Sequence, residues 1–342
     1  MLTFDVVITT YNRPGEVQRL TAQILECESK PGWIIVVDSS DIQNEELANN
    51  PSVLYIRSSH KNQPYQRLLG AMASKADVVV FLDDDLIIKE KKVFKYLLDG
   101  YKYSEYSDVV GVTANINYHS SLDSKNVKPL ICPNSKLSRS LLLISGVNSK
   151  KPGKVGRLGI VGTNLQGKQF VEFFYGPCMS FKRQLICDII PPDLLAMYER
   201  KIGKGEDKAI SMAASKMGRL LYIPTPCFYH PPNDSAYFQD IRSFMRRTMY
   251  SRLYLSKVYA RLKGRSLFLE VFIFYYFAFF RILIAFFSYV LHPVKSRREK
   301  LKGICSGVLL TFTLEQKAEV LTPEINWREE LEADLRGNGL RV

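Results

Sequence analysis

Four short runs near the N-terminus consist almost wholly of β-branched and other apolar residues: Phe4–Thr9, the segment WIIVVD ending at Asp38, Val53–Ile56 and Val78–Leu82. A strand with one wet face alternates polar and apolar residues, whereas a strand covered on both faces does not. Between the runs, Glu16–Glu26 and Gln63–Ser74 read as helices, the first with Val17, Leu20, Ile24 and Leu25 at helical spacing. Such alternation predicts an α/β fold, a mostly parallel central sheet with helices on both faces. Ligands of these sheets bind beyond the carboxyl ends of the strands. Thr9–Arg13, Asp38–Ser40 and Asp83–Asp85 all follow strand ends, so three polar clusters are expected on one rim.

The last cluster raises the sharpest question, because Asp83, Asp84 and Asp85 repel one another at the end of a buried strand. One reading is an acidic helix cap. The other is a divalent cation, Mg²⁺ or Mn²⁺, held by Asp83 and Asp85 while a diphosphate supplies further oxygens. Glu206 and Asp207, in GKGEDKAIS, are either acids at a helix start, favoured by the helix dipole, or a general base aimed into the cleft. His230, in the proline-rich segment TPCFYHPPND, reads as a loop residue able to contact metal or phosphate.

Lys and Arg outnumber Asp and Glu by 47 − 34 = +13 in 342 residues, which calls for an anionic partner. Arg242–Arg265 alone carries eight Lys or Arg and no acid. The six cysteines are scattered, with no C-x-x-C pair, so neither a zinc site nor a disulfide framework is expected. The N-terminal residues enter a strand directly and show no signal-peptide pattern, which reads as a cytoplasmic chain. Residues 115–168, rich in Ser, Asn, Lys and Gly, read as a loop insertion within a first domain of residues 1–235.

Taken in order, VVITTYNRP, VVDSSD, QRLLGAMASKADVVVFLDDD, YGPCMSFKR, GEDKAI and YHPP resemble the family-2 glycosyltransferases of GT-A fold, over roughly residues 3–235. The resemblance implies a Rossmann-like sheet and nucleotide contacts from Thr9, Tyr11, Arg13 and Asp38, the last recognising the base. It assigns Arg67 to the donor site. It makes the three aspartates a DXD motif, with Asp85 on the metal and Asp83 and Asp84 beside the sugar nucleotide. It makes Asp207, or else Glu206, the base that deprotonates the acceptor hydroxyl. Two positions depart from the family's pattern, Pro64 where a glycine is usual and Leu68 where an asparagine is. The implied activity is inverting transfer from a nucleoside-diphosphate sugar to a glycan, lipid-linked as in bacterial polysaccharide assembly.

Residues 236–342 read as a separate helical, basic and aromatic region. Ser266–Leu291 is long enough to span a bilayer, but Glu270 and Arg281 lie eleven residues apart, ~three helical turns, and so share a face. A helix lying in the interface of an anionic membrane, on the cytoplasmic side, fits better than a span. A buried core or subunit-interface helix is the competing reading. A nucleotidyltransferase and a basic nucleic-acid-binding protein are the alternatives for the whole chain, although acids on the rim would repel a nucleic acid.

Overall fold

The computed structural model describes residues 2–102, 108–118, 151–163, 165–231, 240–315 and 325–341. Most of the segment expected as an insertion, residues 119–150, lies outside them, as does Cys132. The elements run β1 (Phe4–Thr10), α1 (Pro14–Glu26), β2 (Ile34–Asp38), α2 (Glu45–Ala48), β3 (Val53–Arg57), α3 (Gln63–Ala73), β4 (Val78–Asp83), β5 (Ile87–Ile88), α4 (Val93–Tyr101) and β6 (Val109–Tyr118). They continue with β7 (Gln169–Val171), β8 (Cys178–Lys182), α5 (Ile186–Ile189), α6 (Pro192–Glu199), α7 (Glu206–Met217) and β9 (Arg219–His230). Four helices follow: α8 (Ile241–Lys263), α9 (Leu267–Leu291), α10 (Lys295–Glu315) and α11 (Trp327–Gly337).

One sheet, in the order β3-β2-β1-β4-β8-β6-β9-β5 with β7 on β9, organises the chain. Strands β3, β2, β1 and β4 are parallel, and β8 enters antiparallel between β4 and β6. The expected α/β class and central sheet hold, with antiparallel strands confined to the second half. Every residue of β1 and β2 is buried, and alternate side chains enter opposite cores. Val7, Ile35, Val37, Val79 and Phe81 pack on the α3 side, while Val6, Ile8, Ile34, Val36 and Val80 pack on the side of α1 and α4. Helix α3 approaches the sheet closely enough that a Cβ at Gly70 would lie 2.5 Å from Val7 Cγ1, so only glycine fits there.

Two readings change. His230 ends the twelve-residue strand β9 and does not sit in a loop, nor does β6 stop at Asn115. Pro226 of that segment, with Pro224 just before it, falls where the β6–β9 register slips, at Ala114, Asn115 and Ile116, and a bulge tolerates a residue without an N–H; Pro231 follows the end of the strand. The C-terminal segment is also less separate than a boundary at 235 implies. Helix α11 returns to the sheet edge, where Asn338 exchanges hydrogen bonds with the backbone of Arg57 and Asp334 accepts from Ser59 and Tyr65. Trp327 lies 5.3 Å from His60 and 5.9 Å from Tyr65, ring to ring.

Candidate active site

The register sets the rim: Thr9 is level with Asp83, and Thr10 with Asp38. All three polar clusters therefore meet at the ends of neighbouring strands, as expected. Gln66 of α3 donates to the carbonyls of Thr10 and Val37, fixing the helix over this edge.

The three aspartates point to different partners, which is how they coexist. Asp83 accepts from Arg67 at 2.9 Å and from Gln63 at 3.0 Å. Asp84 accepts from Thr10 at 2.8 Å and pairs with Arg13 at 3.1 Å. Asp85 pairs with Arg13 at 2.9 Å and lies 3.4 Å from Nε2 of His230. Burial pushes the Asp83 carboxyl up despite Arg67, and pushes Asp84 up to about 7 against the pull of Thr10 and Arg13.

Three metal-ligating side chains do not gather at one point among the described residues. Asp85 and His230 do come together, and their separation is close to the ~3 Å between adjacent ligands of a six-coordinate ion with bonds of about 2.1 Å. One carboxylate oxygen and one imidazole nitrogen leave most positions for water and diphosphate, so the pair fits Mn²⁺ or Mg²⁺ held jointly with a substrate. Asp83, expected as a third ligand, is turned toward Arg67.

The expected nucleotide residues divide. Tyr11 is exposed at the rim with Lys61 above its ring, 4.7 Å from the centroid. Lys61 and Asn12 also hold Asp41, whose carboxyl is drawn below the usual range by those hydrogen bonds. Thr9 is buried in the strand and Arg13 braces the acids. Asp38 is buried too, with Oδ1 accepting from the Ser40 N–H at 2.7 Å and Oδ2 held by the Tyr55 hydroxyl and Arg57. Tyr55, Arg57, Asp41 and Lys61 escaped sequence reading because nothing in their spacing distinguishes them from ordinary strand and loop residues.

Arg67, 1% exposed, is the hub of the site. It reaches Asp83, Glu206 at 3.3 Å and the Gly176 carbonyl at 3.2 Å. Burial opposes its charge, but Asp83, Glu206 and Asp207 outweigh that and hold the guanidinium's pKa above its usual value. Glu206 is occupied on both oxygens, by Arg67 and by the Tyr198 hydroxyl. Asp207 differs. Apart from the N–H of Lys208, its carboxylate has no hydrogen-bond partner among the described residues. Burial first, then the Glu206 charge, push it up to about 6. Gly205, with φ of 79°, turns the chain into α7 and sets this acid at the helix start. An ionised, half-buried carboxylate with unused lone pairs beside a metal-capable rim can accept a proton from a substrate hydroxyl.

Comparison with known proteins identifies the family of the chain. The sequence profile of the family described as Glycosyl transferase family 2 matches residues 5–186, more than half of the chain. A search of curated proteins finds no match. Among solved structures, residues 1–349 of S. aureus TarS align at 12% identity and TM-score 0.45, covering 92% of each chain. A longer TarS structure is covered over only 43% of its length. A mannosyltransferase from Pyrobaculum calidifontis, solved with GDP-Man and Mn²⁺, aligns at 13% identity and TM-score 0.45, covering 99% of this chain and 86% of that one. Glucosyl-3-phosphoglycerate synthase from Mycobacterium tuberculosis, with Mn²⁺, UDP and phosphoglyceric acid, gives 14% identity and TM-score 0.40 over 72% and 78%.

Proposed function

The chain belongs to glycosyl transferase family 2, and from that premise we propose that it is an inverting, metal-dependent transferase moving a sugar from a nucleoside-diphosphate donor to a lipid-linked glycan. The observation that carries the reading is Asp207, a half-buried carboxylate left available while its neighbour Glu206 is tied by Arg67 and Tyr198. In the reaction, the acceptor hydroxyl gives its proton to Asp207 and its oxygen forms the bond to the anomeric carbon. The bond from that carbon to the diphosphate breaks, and its electron pair leaves with the nucleoside diphosphate. A single displacement with one base inverts the anomeric centre. Arg67 keeps Asp83 and Glu206 in place, so the donor-side and acceptor-side acids share one rigid support. A divalent ion held by Asp85 and His230 would offset the negative charge growing on the leaving diphosphate. The nucleotidyltransferase alternative has no such use for a second, acceptor-side base.

The C-terminal helices support a membrane-surface location. Among the described residues α9 is the one helix long and apolar enough to cross a membrane, yet one side of it is packed on the protein. Glu270 is fully buried and pairs with Arg157 at 3.2 Å, and half-buried Arg281 lies one turn beyond buried Phe277 and Ala278, so the two charges do share the protein-facing side. Phe268, Phe272, Tyr276, Phe279, Phe286 and Phe287 remain exposed. Singly exposed aromatics are ordinary, but a continuous row is a contact surface. We read it as seated in the cytoplasmic-face headgroup region, with exposed Arg242 and Arg246 drawn to anionic lipid.

The test of the donor site is thermal stabilisation by a panel of sugar nucleotides, with and without Mn²⁺. Wild type is expected to respond to at least one donor only when metal is present, and a folded Asp85→Ala variant to lose that response. A variant that keeps the full metal-dependent shift would overturn the assignment of Asp85.

A further inference from the structure

Strand β3 ends the sheet order, so one row of its backbone groups faces away from β2. At Arg57 those outward groups meet a single side chain. The Arg57 N–H donates to Asn338 Oδ1 at 2.8 Å, and Asn338 Nδ2 donates back to the Arg57 carbonyl at 3.0 Å. One amide thus does what a neighbouring strand would do. A turn earlier on α11, Asp334 accepts from the Ser59 N–H, the Ser59 hydroxyl and the Tyr65 hydroxyl, each at 3.0 Å. The apolar face of the helix, Trp327, Leu331 and Leu335, is buried in the core on the α3 side of the sheet. Helix α11 therefore sits directly behind the short connection from β3 to α3.

The other face of that connection carries the rim. Arg57 turns its guanidinium inward, to Asp38 at 3.3 Å and to the Ser40 carbonyl. Ser40 Oγ in turn accepts from the Asn12 N–H at 2.7 Å, and Asn12 and Asp41 exchange hydrogen bonds of 2.8 and 3.0 Å. Lys61 reaches Asp41 at 2.7 Å and covers the ring of Tyr11. Within the connection, the Ser58 hydroxyl donates to the His60 carbonyl at 3.1 Å and accepts from the His60 N–H at 3.3 Å. Direct hydrogen bonds therefore run from Asn338 through Arg57 and Ser40 to Asn12, beside exposed Tyr11. The metal-capable pair lies elsewhere on the rim. Asp85 follows β4, and β1 stands between β4 and β2, so the ends of those two strands are about 10 Å apart.

We propose that α11 is a positioning element for donor binding. Asn338 and Asp334 hold Arg57 and Lys61 where they brace the β2–β3 end of the rim against the nucleoside, and the diphosphate end is left to Asp85 and His230. The proposal rests on the transferase reading, which puts a sugar nucleotide on this rim. Side chains on connecting loops are ordinarily mobile, and ordering them on binding costs affinity. A helix fixed behind the connection orders Arg57 and Lys61 before the donor arrives. The cost is then met in folding, by the burial of Trp327, Leu331 and Leu335.

The experiment is calorimetric titration of the full chain with UDP, GDP, CDP, ADP and dTDP, each with Mn²⁺, and with inorganic pyrophosphate and Mn²⁺. Wild type is compared with Asn338→Ala and Asp334→Asn. Both variants are expected to weaken the best-bound nucleoside diphosphate about tenfold and to leave pyrophosphate within about twofold, because only the nucleoside end leans on α11. Retained pyrophosphate binding also shows that the variant is folded. In an Arg57→Gln background, adding Asn338→Ala should cost no further nucleotide affinity, since the route through Arg57 is already cut. Unchanged nucleotide affinity in both single variants would overturn the proposal. So would an equal loss of pyrophosphate, the mark of a general loosening, or fully additive losses in the double variant. Wild type that binds pyrophosphate but no nucleoside diphosphate would overturn the transferase reading together with this one, an outcome distinct from failure of the variants alone.

Discussion

Replacing Arg67 with Met tests the idea that one buried guanidinium supports both halves of the active site. Methionine keeps much of the aliphatic volume but removes the charge and all five donors. Asp83 and Glu206, now held together by contacts of 2.9 and 3.3 Å, would be left as neighbouring buried carboxylates, and the Gly176 carbonyl would lose its partner. Breaking a buried pair from one side costs about 3–5 kcal/mol, because the stranded charges keep their desolvation penalty. The sign with pH follows from the same geometry. Arg67 lowers the Asp83 pKa, so its loss raises that pKa further, and a carboxyl raised in the folded state destabilises progressively as pH rises. Urea unfolding at pH 5.5 and pH 8 should therefore show a loss of about 3–5 kcal/mol at pH 8, smaller at pH 5.5 and partly recovered by adding Asp83→Asn. A loss below about 1 kcal/mol, the level of an exposed pair, or one independent of pH, would refute the reasoning.

Two other outcomes follow from the C-terminal helices. His60 lies between Glu199 at 3.1 Å and Glu330 at 3.7 Å, and its pKa is raised, chiefly by the hydrogen bond to Glu199. A histidine raised in the folded state stabilises below its unfolded pKa of about 6.5 and loses that contribution as pH rises through the folded value. Amide exchange over residues 327–337 should accordingly be slower at about pH 6 than at pH 8 once corrected for intrinsic rates; an unchanged difference in His60→Gln would contradict the assignment. Replacing exposed Phe272 and Phe279 with Ser should cut co-sedimentation with anionic vesicles at least tenfold, since each inserted ring contributes about 1.5–3 kcal/mol. Equal sedimentation would mean that the row of phenylalanines meets protein instead.

The sheet was legible because strands buried on both faces write their burial directly into composition, as in Val78–Leu82, and the rim followed from where those runs stop. The division of labour within the rim was not. Asp83, Asp84 and Asp85 are adjacent in sequence, but their partners come from three separate segments, Thr10 and Arg13 from the end of β1, Arg67 from α3 and His230 from β9. Likewise nothing local to GEDKAI says that Tyr198 occupies Glu206 and leaves Asp207 available. The prolines before His230 read as loop residues because a bulge in a long strand depends on its partner's register. Nothing in the sequence of helix α11 signals its seat on the sheet edge, where Asp334 and Trp327 hold it against Tyr65 and His60. The basic stretch of α8 gave a charge count, and a count carries no information about which cations face inward.

The central claim is that Asp207 is the base of a glycosyl transfer, and the direct measurement is the pH–rate profile of nucleoside-diphosphate release in wild type and Asp207→Asn. With donor, metal and an accepted glycan, the wild-type rate should rise with unit slope through about 6, the value at which burial and Glu206 place this carboxyl, because only the ionised form accepts a proton. Asp207→Asn should bind donor normally and lose transfer by about 10²–10⁴-fold at every pH. Near-normal turnover in that variant, or a wild-type profile flat across pH 5–7, would contradict the account.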